Sequence, residues 1–384
     1  MLRPDSACLV IADISGYTSY LAGVELDHAQ DILADLMGTV VDAFRPAFRL
    51  AKLEGDAAFV YVVTETVDGS ALQDLVEGCY FAFRRRLRDI QQASSCECNA
   101  CILIPNLDLK LLAHHGAIAR HRIAGWEELV GSDVILVHRL LKNSVEVDLR
   151  MGAYALYTDA CIRAMGVVDP GTLGLREHRE TYDVIGEVVG WVQDLEAAWA
   201  AEKDRTHVVV EAKDAIWEYS RLLPGPPELV WDYLTSPIRR PRWQYGVTAV
   251  DEATAGGRRG VGTTNHCIHG RDAIVEEILD WRPPAVVTMN VQLPQPGIPK
   301  MVMSEILEPA EGGTRLIMRV RRPRSSKDRA TFEVVGPMLE GSVRAGHDAL
   351  VPLLEAELQE RVGSSGAEPG LPTSAGRYRE PVTR

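Results

Sequence analysis

Asp13 closes the apolar run Cys8-Leu9-Val10-Ile11-Ala12, and Asp56 closes the run Lys52-Leu53-Glu54-Gly55-Asp56. The first run is short and rich in apolar residues, the composition of a buried strand, and the second centres on Gly-Asp, the residue types of a tight hairpin. If that strand lies beside the hairpin, the two carboxylates converge at one end of a sheet. Two hard oxygen ligands there suit Mg²⁺ or Mn²⁺, which are held by one or two carboxylates plus substrate phosphates. The plainer reading is that Asp13 caps the next segment and Asp56 serves the turn, as Asp often does. Cys96, Cys98 and Cys101 could bind Zn²⁺ with His114 or His115 as fourth ligand, although the second cysteine pair of a zinc ribbon is missing; reduced structural thiols are the plainer reading. His114 and His115 alternate faces on a strand, which predicts one buried and one solvated ring.

Further along, Trp231, Trp243, Trp281, Met289, Met301, Met303 and Met318 could line an apolar pocket, and each is also what an ordinary core contains. The basic stretch from Arg319 to Arg329 could steer an anionic headgroup, but reads more simply as a solvated hairpin. His266 and His269 are three apart on a strand, hence on opposite faces, which argues against a shared metal. No Ser-His-Asp, Walker or dinucleotide fingerprint stands in a fitting context.

The elements that must position these residues follow from periodicity. After the first strand, Ile32, Leu33, Leu36, Val40, Val41 and Phe44 recur at three- and four-residue spacing, which predicts an amphipathic helix over 28–48. The hairpin over 49–63 comes next, then a helix over 72–90, a strand over 109–119 and a short helix over 131–142. The order β-α-β-β-α-β predicts a ferredoxin-like α+β sandwich, an antiparallel sheet with helices on one face. Residues 154–195 complete this first domain (1–200), and the charged helical run Ala197 to Arg205 predicts a linker over 201–207. From 208 to 360, strand-like segments with Gly/Pro punctuation lead to a helix from about Val334, predicting a curved antiparallel sheet around one long helix. The last 24 residues hold four Gly, three Pro and three Ser, a composition that predicts disorder.

The chain has 384 residues, enough for two or three domains, and a net charge of -13. Up to Ala212 there are 19 basic and 32 acidic residues, leaving 22 of each beyond. That balance excludes the concentrated Lys/Arg surface a non-specific nucleic-acid binder needs. No apolar stretch approaches the roughly 18 to 20 residues that span a bilayer, and the first apolar run breaks at Asp13, unlike a signal peptide. A cytoplasmic protein with reduced thiols is the resulting expectation.

Ala12-Asp13-Ile14-Ser15-Gly16-Tyr17-Thr18, Lys52 to Asp56, Ala113-His114-His115-Gly116 and Gly131 to Leu140, in that order, resemble the motif series of class III nucleotidyl cyclases over roughly residues 5 to 200. The chain is also similar to a cyclase-like family of bacterial proteins that carries the same Cys-Xaa-Cys-Asn-Ala-Cys run. The resemblance implies that Asp13 and Asp56, with the Ile14 carbonyl, hold two Mg²⁺ or Mn²⁺ ions. It also implies that Lys52 and Glu128 read the adenine of ATP, and that Arg139 stabilises charge at the α-phosphate. Glu128 stands where the family has aspartate. Ile135 stands where it has the asparagine that orients the ribose, and isoleucine offers no hydrogen bond. The resemblance further implies a head-to-tail homodimer with composite sites. From Pro226-Pro227-Glu228 through Trp231 to Trp243, with the element order that follows, residues 208–360 resemble the START-like superfamily with its helix-grip fold, which implies a hydrophobic small molecule or lipid as ligand. The combined expectation is conversion of ATP to cyclic AMP and pyrophosphate, tuned by that ligand; a catalytically silent cyclase fold serving as a sensory module is the alternative.

Overall fold

A computed structural model describes residues 4–22, 24, 26–45, 47–93, 103–123, 126–254, 257–295 and 297–364. Cys96, Cys98 and Cys101 and the tail beyond residue 364 lie outside them.

The first half is built on strands β1 (Asp5–Ser15), β2 (Arg49–Glu54), β3 (Ala57–Val63), β4 (Asp108–Ile123), β5 (Trp126–Val130), β6 (Tyr154–Thr158), β7 (Arg176–Tyr182) and β8 (Gly186–Asp194). Its helices are α1 (Tyr17–Ala22), α2 (Leu26–Phe44), α3 (Gly69–Ala93), α4 (Ser132–Arg139), α5 (Val145–Leu149), α6 (Asp159–Ala164) and α7 (Leu195–Asp204). The strands run β2-β3-β1-β4-β6-β8-β7, with β5 paired to β4, so the ferredoxin-like order is present at the β2 to β4 end. β1 is wholly buried from Ala7 to Ala12 because it is bonded on both edges and covered on both faces, which explains its unbroken apolar run. Cys8, Val10 and Ala12 meet Leu36, Val40 and Phe44 of α2 and Val76, Tyr80 and Phe83 of α3, while Leu9 and Ile11 meet Val134 and Val137 of α4 on the other face. The run read as a linker forms α7, whose Trp199 packs on Phe81 of α3 with ring centroids 5.3 Å apart.

The second half is a seven-stranded antiparallel sheet of β9 (Ala215–Leu223), β10 (Ala249–Ala253), β11 (Thr264–His269), β12 (Asp272–Arg282), β13 (Val286–Gln292), β14 (Met301–Ala310) and β15 (Gly313–Arg321) in the order β10-β11-β12-β13-β14-β15-β9. Helix α8 (Pro227–Thr235) and the long α9 (Ser326–Ser364) cover one face. This is a helix-grip arrangement. The basic stretch is not a hairpin: Arg319 and Arg321 end β15 and Lys327 and Arg329 start α9. Arg319 spans the strand pair to Glu218 at 2.7 Å, since opposite charges on one sheet face attract across strands.

The halves meet through ion pairs. Arg258 and Arg259, between β10 and β11, reach the first turns of α3: Arg258 donates to Asp74 Oδ1 at 2.5 Å and to Glu77 Oε1 at 2.6 Å, and Arg259 to Asp68 Oδ2 at 3.3 Å. Trp281 Nε1 donates to Asp74 Oδ2 at 3.0 Å.

Candidate functional site

Asp13 and Asp56 come to the same end of the first sheet. β1 and β3 pair antiparallel with Asp13 opposite Ala57, and Ile14 N donates to Asp56 O at 3.0 Å, closing the hairpin turn onto the strand end. Burial, and then the charge of Asp13, push the Asp56 carboxyl above its usual range; two carboxylates this close favour a cation between them. One is already at hand: Lys110 stands opposite Asp13 on β4, and its Nζ is 2.9 Å from Asp13 Oδ2. Asp13, Asp56, Lys110 and the residues from Ile14 to Ser19 line one open hollow of about 300 Å³. Gly16 makes the loop possible, because its φ is +82° and a Cβ there would lie 2.5 Å from the Asn106 carbonyl.

Two acidic side chains, a main-chain carbonyl and an adjacent ammonium form a donor set that fits a divalent cation with a polyanion. Lys110 is the residue that sequence reading missed.

Lys52 and Glu128 also come together. Lys52 Nζ lies 2.9 Å from Glu54 Oε1, and the Glu54 hydrogen bond, outweighing partial burial, raises the lysine above its ordinary value with help from the charge of Glu128. Glu54 takes a second partner, His138 Nε2 at 3.1 Å. Burial pushes Glu54 up, but Lys52 and His138 together hold it below the usual carboxylate range. Arg139 sits one residue on, exposed in a shallow hollow of about 340 Å³ with Val134, Ile135, His138 and Lys142. Ile135 is 58% exposed there and lines the same hollow.

Of the two histidines, His114 is buried, bonded to Thr158 Oγ1 at 2.8 Å and Asp133 Oδ1 at 3.2 Å. His115 is partly exposed, and its Nε2 lies 3.0 Å from the Thr64 carbonyl. Asp133 also accepts from Ala117 N at 2.8 Å, and Gly116 leaves room for it, a Cβ there falling 2.4 Å from Asp133 Cγ. These contacts position α4 and hence Arg139. Among the described residues no group of three or more His, Cys, Asp and Glu side chains could hold a metal.

In the second half, Trp231, Trp243, Trp281 and Met289 are all buried, 5 to 8% exposed. Trp231 and Trp281 pack edge to face at 4.8 Å, and Trp243 stacks on His347 of α9 at 5.7 Å. They belong to the buried apolar interior between the sheet and its helices. Within it lies a polar set that sequence reading missed. Arg240, 6% exposed, forks onto Glu276 with both contacts at 2.7 Å, and gives its Nε to Gln244 at 2.9 Å. Glu305 shares that sheet face, opposite Val287 and Met318.

Burial pushes the Glu305 carboxyl up to about 7, against the pull of Arg240. Since the unfolded chain releases that proton near 4.5, the folded state holds it longer, and stability falls as pH rises from 4.5 through 7. Glu305→Gln is therefore expected to match the parent near pH 4.5. Above pH 7 it should be more stable by up to about 3 kcal/mol, at about 1.4 kcal/mol per pH unit. Urea unfolding of both proteins at pH 4.5, 6 and 8 measures this, and equal midpoints at all three would refute it.

Two family models match. Residues 33–149 match the family described as "Protein of unknown function (DUF2652)", and residues 214–355 match "Polyketide cyclase / dehydrase and lipid transport". The chain is 36% identical over 133 residues, 35% of its length and 60% of the relative's, to "Uncharacterized protein Rv2561/Rv2562" of Mycobacterium tuberculosis (strain ATCC 25618 / H37Rv). Among solved structures it is similar to the guanylyl cyclase Cya2 (16% identity, TM-score 0.37, 50% of this chain and 93% of that one). It is also similar to the adenylyl cyclase CyaB from P. aeruginosa (12% identity, TM-score 0.37, 50% and 95%). No described helix is long and apolar enough to cross a membrane.

Proposed function

We propose that the first half binds a nucleoside triphosphate with Mg²⁺ or Mn²⁺ and converts ATP to cyclic AMP and pyrophosphate, and that a hydrophobic ligand in the second half tunes this. The observation that carries the reading is the juxtaposition of Asp13, Asp56 and Lys110 at one sheet end, in a chain whose motif order resembles class III cyclases. Asp13, Asp56 and the Ile14 carbonyl would hold the metal, which when bound supplies Lewis acidity to the phosphates and the attacking hydroxyl. Lys110 would meet a phosphate oxygen, moving off Asp13 as the metal replaces it. Lys52 and Glu128 offer one donor and one acceptor to a purine edge, Glu54 and His138 fixing the lysine. Arg139 would offset charge at the α-phosphorus. The ribose 3′-oxygen forms its bond to that phosphorus, the bond to the bridging oxygen breaks, the hydroxyl proton goes to solvent, and pyrophosphate leaves. Leu53, 54% exposed, and Ile135 are bare apolar side chains on the elements that carry Lys52 and Arg139, which supports a second copy closing over this face.

Ile135 supports the silent alternative, in which nucleotide is bound without turnover. Incubation of the full chain with Mn²⁺ or Mg²⁺ and each nucleoside triphosphate, with product separation, decides between them. Cyclic product from ATP is expected, and Ile135→Asn should raise its rate. No product from either protein would remove the enzymatic reading.

A further inference from the structure

Arg240 faces two carboxylates, Glu276 and Glu305, and its fork is taken up by Glu276 and its Nε by Gln244. Glu305 has no hydrogen bond or ion pair to any described residue, yet it lies on the face that α9 covers, with Met303 beside it on β14, and both keep accessible surface. Opposite Glu276 on β11 is Asn265, 5% exposed, whose Oδ1 has no partner. On α9, His347, 2% exposed, is stacked between Tyr219 and Trp243 with its Nδ1 unpartnered. Orphaned buried polar atoms cost free energy unless something occupies them. The surrounding wall is Met289, Met303, Met318, Val287 and Trp217, an apolar lining.

We infer that the interior around Glu305 is a binding site for an amphiphile with a protonated amine head, the ammonium pairing with Glu305 while the alkyl body lies along the methionines. A carboxylate or phosphate head would face Glu276 and Glu305 across a spent arginine, so like charges select against it. This rests on reading the second half as a ligand-binding domain and names its ligand class.

The test uses the full chain and three probes of one length, dodecylamine, dodecanol and dodecanoate, each below its aggregation concentration, titrated calorimetrically at pH 7.5. The amine is expected to bind one to one and at least tenfold more tightly than the carboxylate. Glu305→Gln should weaken the amine at least tenfold and leave the alcohol within threefold. Dodecanoate binding as tightly as the amine, or a Glu305→Gln variant that holds the amine equally well, would overturn the amine assignment and spare the ligand-binding reading. No binding of any probe would overturn both. The head-group ranking needs no variant.

Discussion

Under the proposed function, Asp13→Asn is expected to lower metal-dependent product formation by on the order of 10² to 10³-fold, the usual size of losing one placed charge where the transition state needs it. Asparagine has the shape of aspartate, and position 13 is the end of a strand bonded on both sides, so the sheet stays intact and the loss is one of charge. Two shifts accompany it. Lys110 loses the carboxylate 2.9 Å away and is left with Asp56 as its nearest acid in the hollow. Asp56 loses the neighbouring negative charge that helped raise it, so its carboxyl ionises at lower pH than in the parent. Titration with Mn²⁺ in the presence of ATP, alongside cyclic-product formation and a thermal midpoint, separates these outcomes. Metal-dependent binding that survives the substitution at parental strength would remove Asp13 from the metal site.

The second large effect is on stability. Arg258 is the common partner of Asp74 and Glu77 on α3, at 2.5 and 2.6 Å, and Glu77 in turn accepts from Gln193, which accepts from Tyr157 at 2.9 Å. Burial pulls against the guanidinium, yet those two carboxylates hold it firmly protonated. Arg258→Ala leaves both acids in place without their counter-charge, and removing one member of a buried pair costs about 3–5 kcal/mol. Because the break falls between the halves, calorimetry should show the second half melting apart from the first. Adding Asp74→Asn to the alanine variant should restore part of the loss, since it removes one stranded charge and keeps an acceptor for Trp281 Nε1. A single unshifted transition in Arg258→Ala would sink this account of the interface.

The strand Cys8 to Ile14, the helix repeat after it and the Gly55-Asp56 turn were legible because each is written in neighbouring residues. Lys110 was not: it is one lysine in an apolar strand, and only the antiparallel register of β1 with β4 sets it opposite Asp13. β14 is hard to read in sequence for a related reason. Met301-Val302-Met303-Ser304-Glu305 alternates, but its Glu faces inward and its Ser takes the buried Val210 N–H at 2.9 Å on the other side, so polarity points the wrong way. The pairing of Arg258 and Arg259 with α3 is not legible in sequence, since their acids are more than 180 residues away in the chain. A signal was available in Asp68, Asp74 and Glu77, three acids at the start of a helix with no nearby cation in sequence. The α9 start was set too late because Ser326 to Glu333 carries few apolar residues to show a period.

The position of β1 governs how the polypeptide can be made. It is bonded to β3 on one edge and, from Asp5 opposite Ile118 to Ser15 opposite Asp108, to β4 on the other. On the ribosome, β1 is therefore translated roughly 100 residues before its second partner emerges, and closing so long a loop is slow. Until then one edge of its backbone stays open, a template for another chain. A nascent chain or a fragment that stops short of Leu109 carries that open edge permanently, so the ends of any soluble piece of the first half are dictated by β4.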